Sequence, residues 1–268
     1  MSIVFYNSEY VDSSDVKILP ENRSLNYGDG FFETVKIINS NAFNFSVHYL
    51  RIIESCSILS LDFNNTEKEL TKIIETLIVK NNIINGTVKL HFSRDSKGKY
   101  MPFSSEVNLL IITNKGEGFN VVKPVKLCFY TDEIKTKSKL STIKSCNALV
   151  SVLSSIYARG NNFDNAILFN TDDNVIECFN SNIFIVKEDI IYTPPVSDGC
   201  VSGTMRGWVL NNETVIEKSL SEKEILNADE IFITNAVSGI IPVKKVEDTE
   251  FFSFELSAQL QKVLISQS

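Results

Sequence analysis

The order in which strand-like and helix-like segments follow one another constrains this chain more than any other feature. Phe31 to Ile38 is β-rich and is entered through Tyr27-Gly-Asp-Gly30, where two glycines mark a tight turn. Phe45 to Leu61 carries Val47, Leu50, Ile53, Ile58 and Leu59 at roughly helical spacing. Thr66-Glu-Lys-Glu69 is a capping-box pattern, and Leu70, Ile73, Ile74, Leu77 and Ile78 behind it predict one apolar helix face. Val88, Leu90 and Phe92 alternate with polar residues as a half-buried strand does, and Val107 to Ile112 predicts another. Asn114 to Asn120 is polar, holds two glycines and has no periodicity, so it reads as a linker. Beyond it come a strand (Val125 to Tyr130) and a helix from about Cys146 to Arg159, ended by Gly160. Three short strands follow, at Ala166 to Phe169, Val175 to Ile176 and Ile183 to Val186. A helix start at Ser202-Gly-Thr204, a strand over Glu230 to Thr234 and a helix over Phe252 to Ile265 complete the pattern. Without a regular βαβ rhythm, this mixture predicts an α+β fold rather than a doubly wound sheet. Two mixed α/β subdomains are expected, residues 1–115 and 121–268.

Composition narrows the function. With 26 basic against 33 acidic residues and a formal charge of −7, the chain is poorly suited to phosphate-backbone binding, which rests on Lys and Arg. No apolar run approaches the roughly 18 residues of a membrane helix. The start, Met1-Ser-Ile-Val-Phe-Tyr6, reads as a first strand rather than a leader. Five cysteines without a C-x-x-C pair suit reduced thiols. The expectation is a cytoplasmic protein that binds neither nucleic acid nor membrane.

Several familiar sites fail on residue supply. Only two histidines are present, His48 and His91, with no H-x-x-H or H-E-x-x-H spacing, so no metal site is expected. His48 falls on a predicted helix and is expected to be a hydrogen-bonded structural residue. There is no G-x-S-x-G elbow and no phosphate-binding G-x-x-x-x-G-K loop. Asp172-Asp173 reads as a solvated hairpin turn. Three other segments hold chemistry that separates in sequence. Lys144, between an apolar residue and a helix start, has a route to Schiff-base chemistry, because desolvation favours its neutral amine. Glu177 ends one short strand just before another. Val201-Ser-Gly-Thr-Met-Arg206 joins a small-residue turn to a helix start, where free backbone N–H groups and the helix dipole bind phosphate. Taken singly, Lys144 is equally a surface lysine and Glu177 a solvated edge residue.

Together these segments resemble the class IV aminotransferases. The resemblance is carried by Tyr27-Gly-Asp-Gly-Phe-Phe-Glu-Thr34, His48-Tyr-Leu-Arg51, Ile143-Lys-Ser-Cys-Asn147 and Glu177-Cys-Phe-Asn-Ser-Asn-Ile-Phe184. Tyr192-Thr-Pro-Pro195, Cys200-Val-Ser-Gly-Thr-Met-Arg206 and Glu230-Ile-Phe-Ile-Thr-Asn235 complete it, in order, from about Tyr27 to Val243. It implies a two-subdomain fold-type IV enzyme, like D-amino-acid aminotransferase, with pyridoxal 5'-phosphate in the cleft between subdomains. It further implies that Lys144, carried by the larger C-terminal subdomain, bonds the cofactor and moves the substrate's α-proton, and that Glu177 pairs with the pyridine nitrogen. Arg51 and the turn Gly203-Thr204-Met205 would hold the phosphate, with Asn235 and Ala236 as a second loop on that side and Asn180 beside the ring. Family members are usually homodimers acting on small amino substrates.

The loop His91-Phe-Ser-Arg94-Asp-Ser-Lys-Gly98-Lys99-Tyr-Met-Pro102 speaks to the reaction. Lyases of this family, which make 4-aminobenzoate for folate, tend to read R-G-S-G-G-R-G-Y here. Arg94, Ser96 and Gly98 match that pattern and Lys99 matches it in charge. Asp95 and Lys97 replace glycines, and the glycine before Tyr100 is absent. The D-amino-acid enzymes tend to place a histidine two residues after an arginine, and no histidine follows Arg94 or Lys99. The expectation is therefore 4-amino-4-deoxychorismate lyase, with Tyr27, Arg94 and Lys99 at the substrate. The alternatives are an aminotransferase for branched-chain or D-amino acids and a cofactor-binding relative without activity. In another reading, Arg94 and Lys99 belong to a solvated loop.

Overall fold

Strand alternation and helix capping build two separate sheets, described by a computed structural model over residues 2–268. By its contacts the chain divides into two units: one runs to Gly118 and takes in Ile143–Asn147 and Ser268, while the other is Phe119–Thr142 with Ala148–Gln267.

The first unit holds β1 (Ile3–Tyr6), β2 (Glu9–Asp12), α1 (Arg23–Tyr27), β3 (Gly30–Ile38), β4 (Asn41–Ala42), α2 (Phe45–Leu59), α3 (Glu67–Lys80), β5 (Gly86–Arg94) and β6 (Val107–Lys115). Its six-stranded sheet has the order β2-β1-β6-β5-β3-β4. One face presents Phe31, Val35, Val88, Leu90, Phe92 and Ile111 to the buried faces of α2 and α3. The capping box at Thr66 forms as its sequence predicts: Glu69 N–H donates to the threonine side chain and Thr66 N–H to the Glu69 carboxylate.

The second unit holds β7 (Val125–Lys135), α4 (Leu149–Gly160), β8 (Asn165–Asn170), β9 (Val175–Cys178), β10 (Asn182–Lys187), β11 (Ile190–Thr193), α5 (Thr204–Asn212), β12 (Val215–Glu217), α6 (Glu222–Leu226), β13 (Glu230–Asn235), β14 (Gly239–Val246), β15 (Thr249–Glu250) and α7 (Glu255–Ser266). Eight strands run in the order β12-β11-β10-β13-β14-β7-β8-β9, with β15 on β14. Near-continuous burial along β8, β9 and β10 matches strands covered on both faces.

One difference from the sequence reading matters for chemistry. The helix expected from Cys146 begins only at Leu149, because the preceding residues are used as a strand. Phe32 N–H donates to the Lys144 carbonyl, Cys146 N–H donates to the Gly30 carbonyl, and Phe31 bridges Ser145. Lys144 therefore belongs to the first unit and not, as expected, to the second. Helix propensity lost to backbone pairing with an open edge of β3, which satisfies N–H and C=O groups that would otherwise lack partners. Gly160 is the last helical residue, with Asn161 as the cap. No helix among the described residues is long and apolar enough to cross a membrane.

Candidate active site

In the first unit, strand register decides which groups meet. Phe31 and Val35 face the helices, so Glu33 between them must face the same way. An inward carboxylate is costly unless a cation meets it. Arg51 meets it: Nε donates to Oε1 and Nη2 to Oε2, each at 2.7 Å. His48 Nδ1 lies 2.8 Å from the same Oε2. Burial alone would push the Glu33 carboxyl up, but the Arg51 guanidinium and the His48 ring outweigh it and hold the group at about 2. Burial pushes the His48 ring below its ordinary value against the pull of Glu33. The imidazole is thus neutral and donates from Nδ1 to the carboxylate. His48 is buried and hydrogen-bonded, in line with its helical position.

The opposite face of this sheet carries Lys144. Pairing of its segment with β3 sets it beside Phe32, and its Nζ lies 4.9 Å from the Phe32 ring centroid. Lys89, one position along on β5, puts its own Nζ 4.5 Å from the same ring. Strands β3, β5 and β6 place no acidic side chain on this face, since Glu33, their one carboxylate, points the other way. His91 Nε2 contacts Cys146 Sγ at 3.4 Å on the same side. No sequence signal singles out Lys89; only the register that pairs it with Thr34 puts it on this face.

The substrate-loop residues are placed unequally. Lys99 and Tyr100 project into solvent, and Tyr100 meets Tyr27 ring to ring at 5.7 Å. Arg94, expected at the substrate, is buried and committed elsewhere. Its Nε donates to Asp29, Nη1 to the Ser60 carbonyl and Nη2 to the Leu59 carbonyl. Neither substrate contact nor the solvated alternative describes it: two of its nitrogens tie β5 to the end of α2 and the third holds Asp29.

In the second unit, Glu177 is buried, with Oε1 accepting from Lys135 Nζ at 2.5 Å and Oε2 from Val201 N–H at 2.8 Å. Lys135 also donates to the Ser141 carbonyl. It went unnoticed in sequence because β7 runs on through residues 131–135, a polar stretch that no apolar alternation marks. Val201 leads into α5, whose N-cap is Gly203 and so offers no capping side chain of its own. Gly203 stands at that N-terminus because a Cβ there would come within 1.9 Å of Asn182 Oδ1. Asn182 is fixed by donating to the Val201 carbonyl and pairs across the sheet with Thr234, whose buried hydroxyl has no partner. Thr204 and Met205 are buried in the first turn. Asn235 accepts from Val237 N–H and Ser238 N–H and donates to Ser181, with Ala236 half-buried beside it. Asn180 accepts from Asn165 and Ser181.

A helix start with a glycine N-cap held against an asparagine amide and an unpartnered buried hydroxyl fit a phosphate monoester. A buried carboxylate fits a protonated ring nitrogen, and Lys144 fits a carbonyl partner. These are the groups that pyridoxal 5'-phosphate presents. No cluster among the described residues could hold a metal ion.

Comparison with known proteins agrees on the fold and the cofactor class. A family model described as "Amino-transferase class IV" matches residues 30–246. The chain is 27% identical over 256 residues to a D-alanine aminotransferase of Staphylococcus epidermidis, covering 92% of this chain and 90% of that one. Among solved structures, the branched-chain aminotransferase of Thermoproteus uzoniensis superposes with a TM-score of 0.91 at 22% identity, covering 98% and 93%. A Legionella pneumophila protein provisionally assigned as 4-amino-4-deoxychorismate lyase superposes at 0.87 with 25% identity, covering 96% and 97%.

Proposed function

Since this chain belongs to the class IV amino-transferases, which depend on pyridoxal phosphate, we propose that it is a lyase converting 4-amino-4-deoxychorismate to 4-aminobenzoate and pyruvate. The observation that carries this reading is the pair of lysines on one ring, with Lys89 and Lys144 both over Phe32 on a face without strand carboxylates. With Lys144 on the cofactor, Lys89 offers a cation to a substrate carboxylate there, and 4-amino-4-deoxychorismate brings two carboxylates where alanine brings one. The missing histidine two residues after Lys99 also removes the grip expected of D-amino-acid enzymes.

In this reading Lys144 binds the cofactor, and its Nζ takes the proton from the substrate carbon bearing the amine. Bound pyridoxal phosphate supplies the electron sink for that step. Glu177 would hold the proton on the ring nitrogen, with Lys135 donating to its Oε1. The first turn of α5 with Asn235 and Ala236 receives the phosphate, Asn180 stands beside the ring, and Arg51 adds a cation oriented by Glu33. Departure of the enolpyruvyl oxygen then aromatises the ring, and the enol becomes pyruvate. Lys99 and Tyr27 are assigned to the substrate, and a homodimer in the cytoplasm completes the proposal.

The test follows 4-aminobenzoate and pyruvate together from enzymatically generated 4-amino-4-deoxychorismate. Equimolar products, lost together with the cofactor absorbance band in Lys144→Ala, support the lyase. No product from protein with cofactor bound sinks it and transfers the assignment to transamination, which the D-alanine aminotransferase relatives favour. D-alanine with 2-oxoglutarate is then the substrate pair to assay.

A further inference from the structure

We propose that Arg23 is the positioning residue of the substrate loop, locking the backbone from which Lys99 and Tyr100 project and thereby setting substrate affinity. The proposal rests on the assignment of that loop to the substrate made above. Arg23 is only 3% exposed. Its Nε donates to Asp29 Oδ2 at 2.7 Å, and its Nη1 to the carbonyls of Gly98 and Lys99 at 3.0 and 2.5 Å. Nη2 reaches the Tyr100 carbonyl at 3.4 Å, and the guanidinium lies 5.0 Å from the Tyr27 ring.

Charge explains why the loop is held. Asp29 Oδ2 also accepts from Arg94 Nε at 3.0 Å, so one carboxylate serves two guanidinium groups, both nearly removed from water. The remaining negative potential comes from carbonyl dipoles: those of Leu59 and Ser60 for Arg94, and three consecutive ones from the loop for Arg23. If the loop left, a buried cation would lose its compensation. Three carbonyls in a row can turn to one point because Gly98 takes a left-handed φ of +104°, where a Cβ would fall 2.3 Å from the Met101 carbonyl. The planar fork of arginine suits this arrangement and the point charge of lysine does not. The loop is therefore a preformed arm.

Trypsin reads the loop directly, because Lys97 and Lys99 are cleavage sites exposed on it. In full-length protein with cofactor bound, Arg23→Gln is expected to raise the rate of cutting after these lysines, read by intact mass, by about tenfold. KM for 4-amino-4-deoxychorismate is expected to rise about tenfold, with kcat within about twofold and the cofactor absorbance unchanged. Arg23→Lys is expected to recover only part of either effect. Should Arg23→Gln not fold, Gly98→Ala, which leaves the guanidinium untouched, is expected to show the same two changes. Wild-type cutting rates in folded Arg23→Gln or Gly98→Ala overturn the proposal, and so does full recovery with lysine. Cutting requires no substrate, so a failed lyase assay leaves this test standing; KM is then read with D-alanine and 2-oxoglutarate.

Discussion

Arg51 and the first turn of α5 offer positive charge in opposite ways. Arg51 sits at the end of a long side chain and already spends two nitrogens on Glu33 deep in the first unit. The α5 turn offers backbone N–H groups behind a glycine N-cap, and a buried threonine hydroxyl beside its asparagine support is unpartnered. The family resemblance assigns both to one phosphate. The difference teaches that formal charge and donor supply are separate quantities: a guanidinium brings charge that Glu33 has already oriented, and a helix start brings partial charges on backbone N–H groups. A buried guanidinium must be neutralised where it stands, whereas a helix start can remain open because its N–H groups carry only partial charge.

The comparison can be broken by removing the partner on each side. Glu33→Gln leaves Arg51 buried without its counter-charge and is expected to cost about 3–5 kcal/mol in urea or thermal unfolding. A loss under 1 kcal/mol would mean that the cluster is not what holds Arg51. The same pair predicts an acid transition. Glu33 is held at about 2 in the folded protein against an ordinary 4.5. Its contribution is therefore complete above pH 4.5 and is lost as pH falls towards 2, on the order of 3 kcal/mol. Urea midpoints that stay level between pH 5 and pH 3 in wild type, or that fall equally in Glu33→Gln, would contradict this. On the other side, Gly203→Ala pushes the Asn182 amide out of its seat. It is expected to weaken pyridoxal phosphate binding about tenfold, measured by titrating apoprotein, with little change in melting temperature. Unchanged affinity would remove the α5 turn from the phosphate site.

Local grammar was legible where local forces decide. The Thr66 capping box, the helix behind it and the short strands around Glu177 follow from spacing within a few residues. The α5 start was equally legible, since glycine before a helix marks a close approach even when the approaching group, here Asn182, lies 21 positions away. Lys135 behind Glu177, Lys89 beside Lys144 and the burial of Arg94 were not. Each is a meeting of residues more than 30 positions apart, and lysine or arginine in a polar stretch looks the same whether it faces water or a carboxylate.

The sequence by itself determined the family, the mixture of strands and helices, and the chemical types that a pyridoxal phosphate enzyme requires. Those are encoded in motifs whose side chains act on their own neighbourhood. Tertiary structure alone decided which charges are spent and which are open. It gave Lys144 to the first unit by pairing its backbone with β3, joined Glu33 to Arg51, turned Arg94 into a tie to the end of α2 and made Arg23 a support for the loop. The reason is electrostatic: a buried charge is worth what its nearest partners make it, and strand register, not sequence distance, chooses those partners.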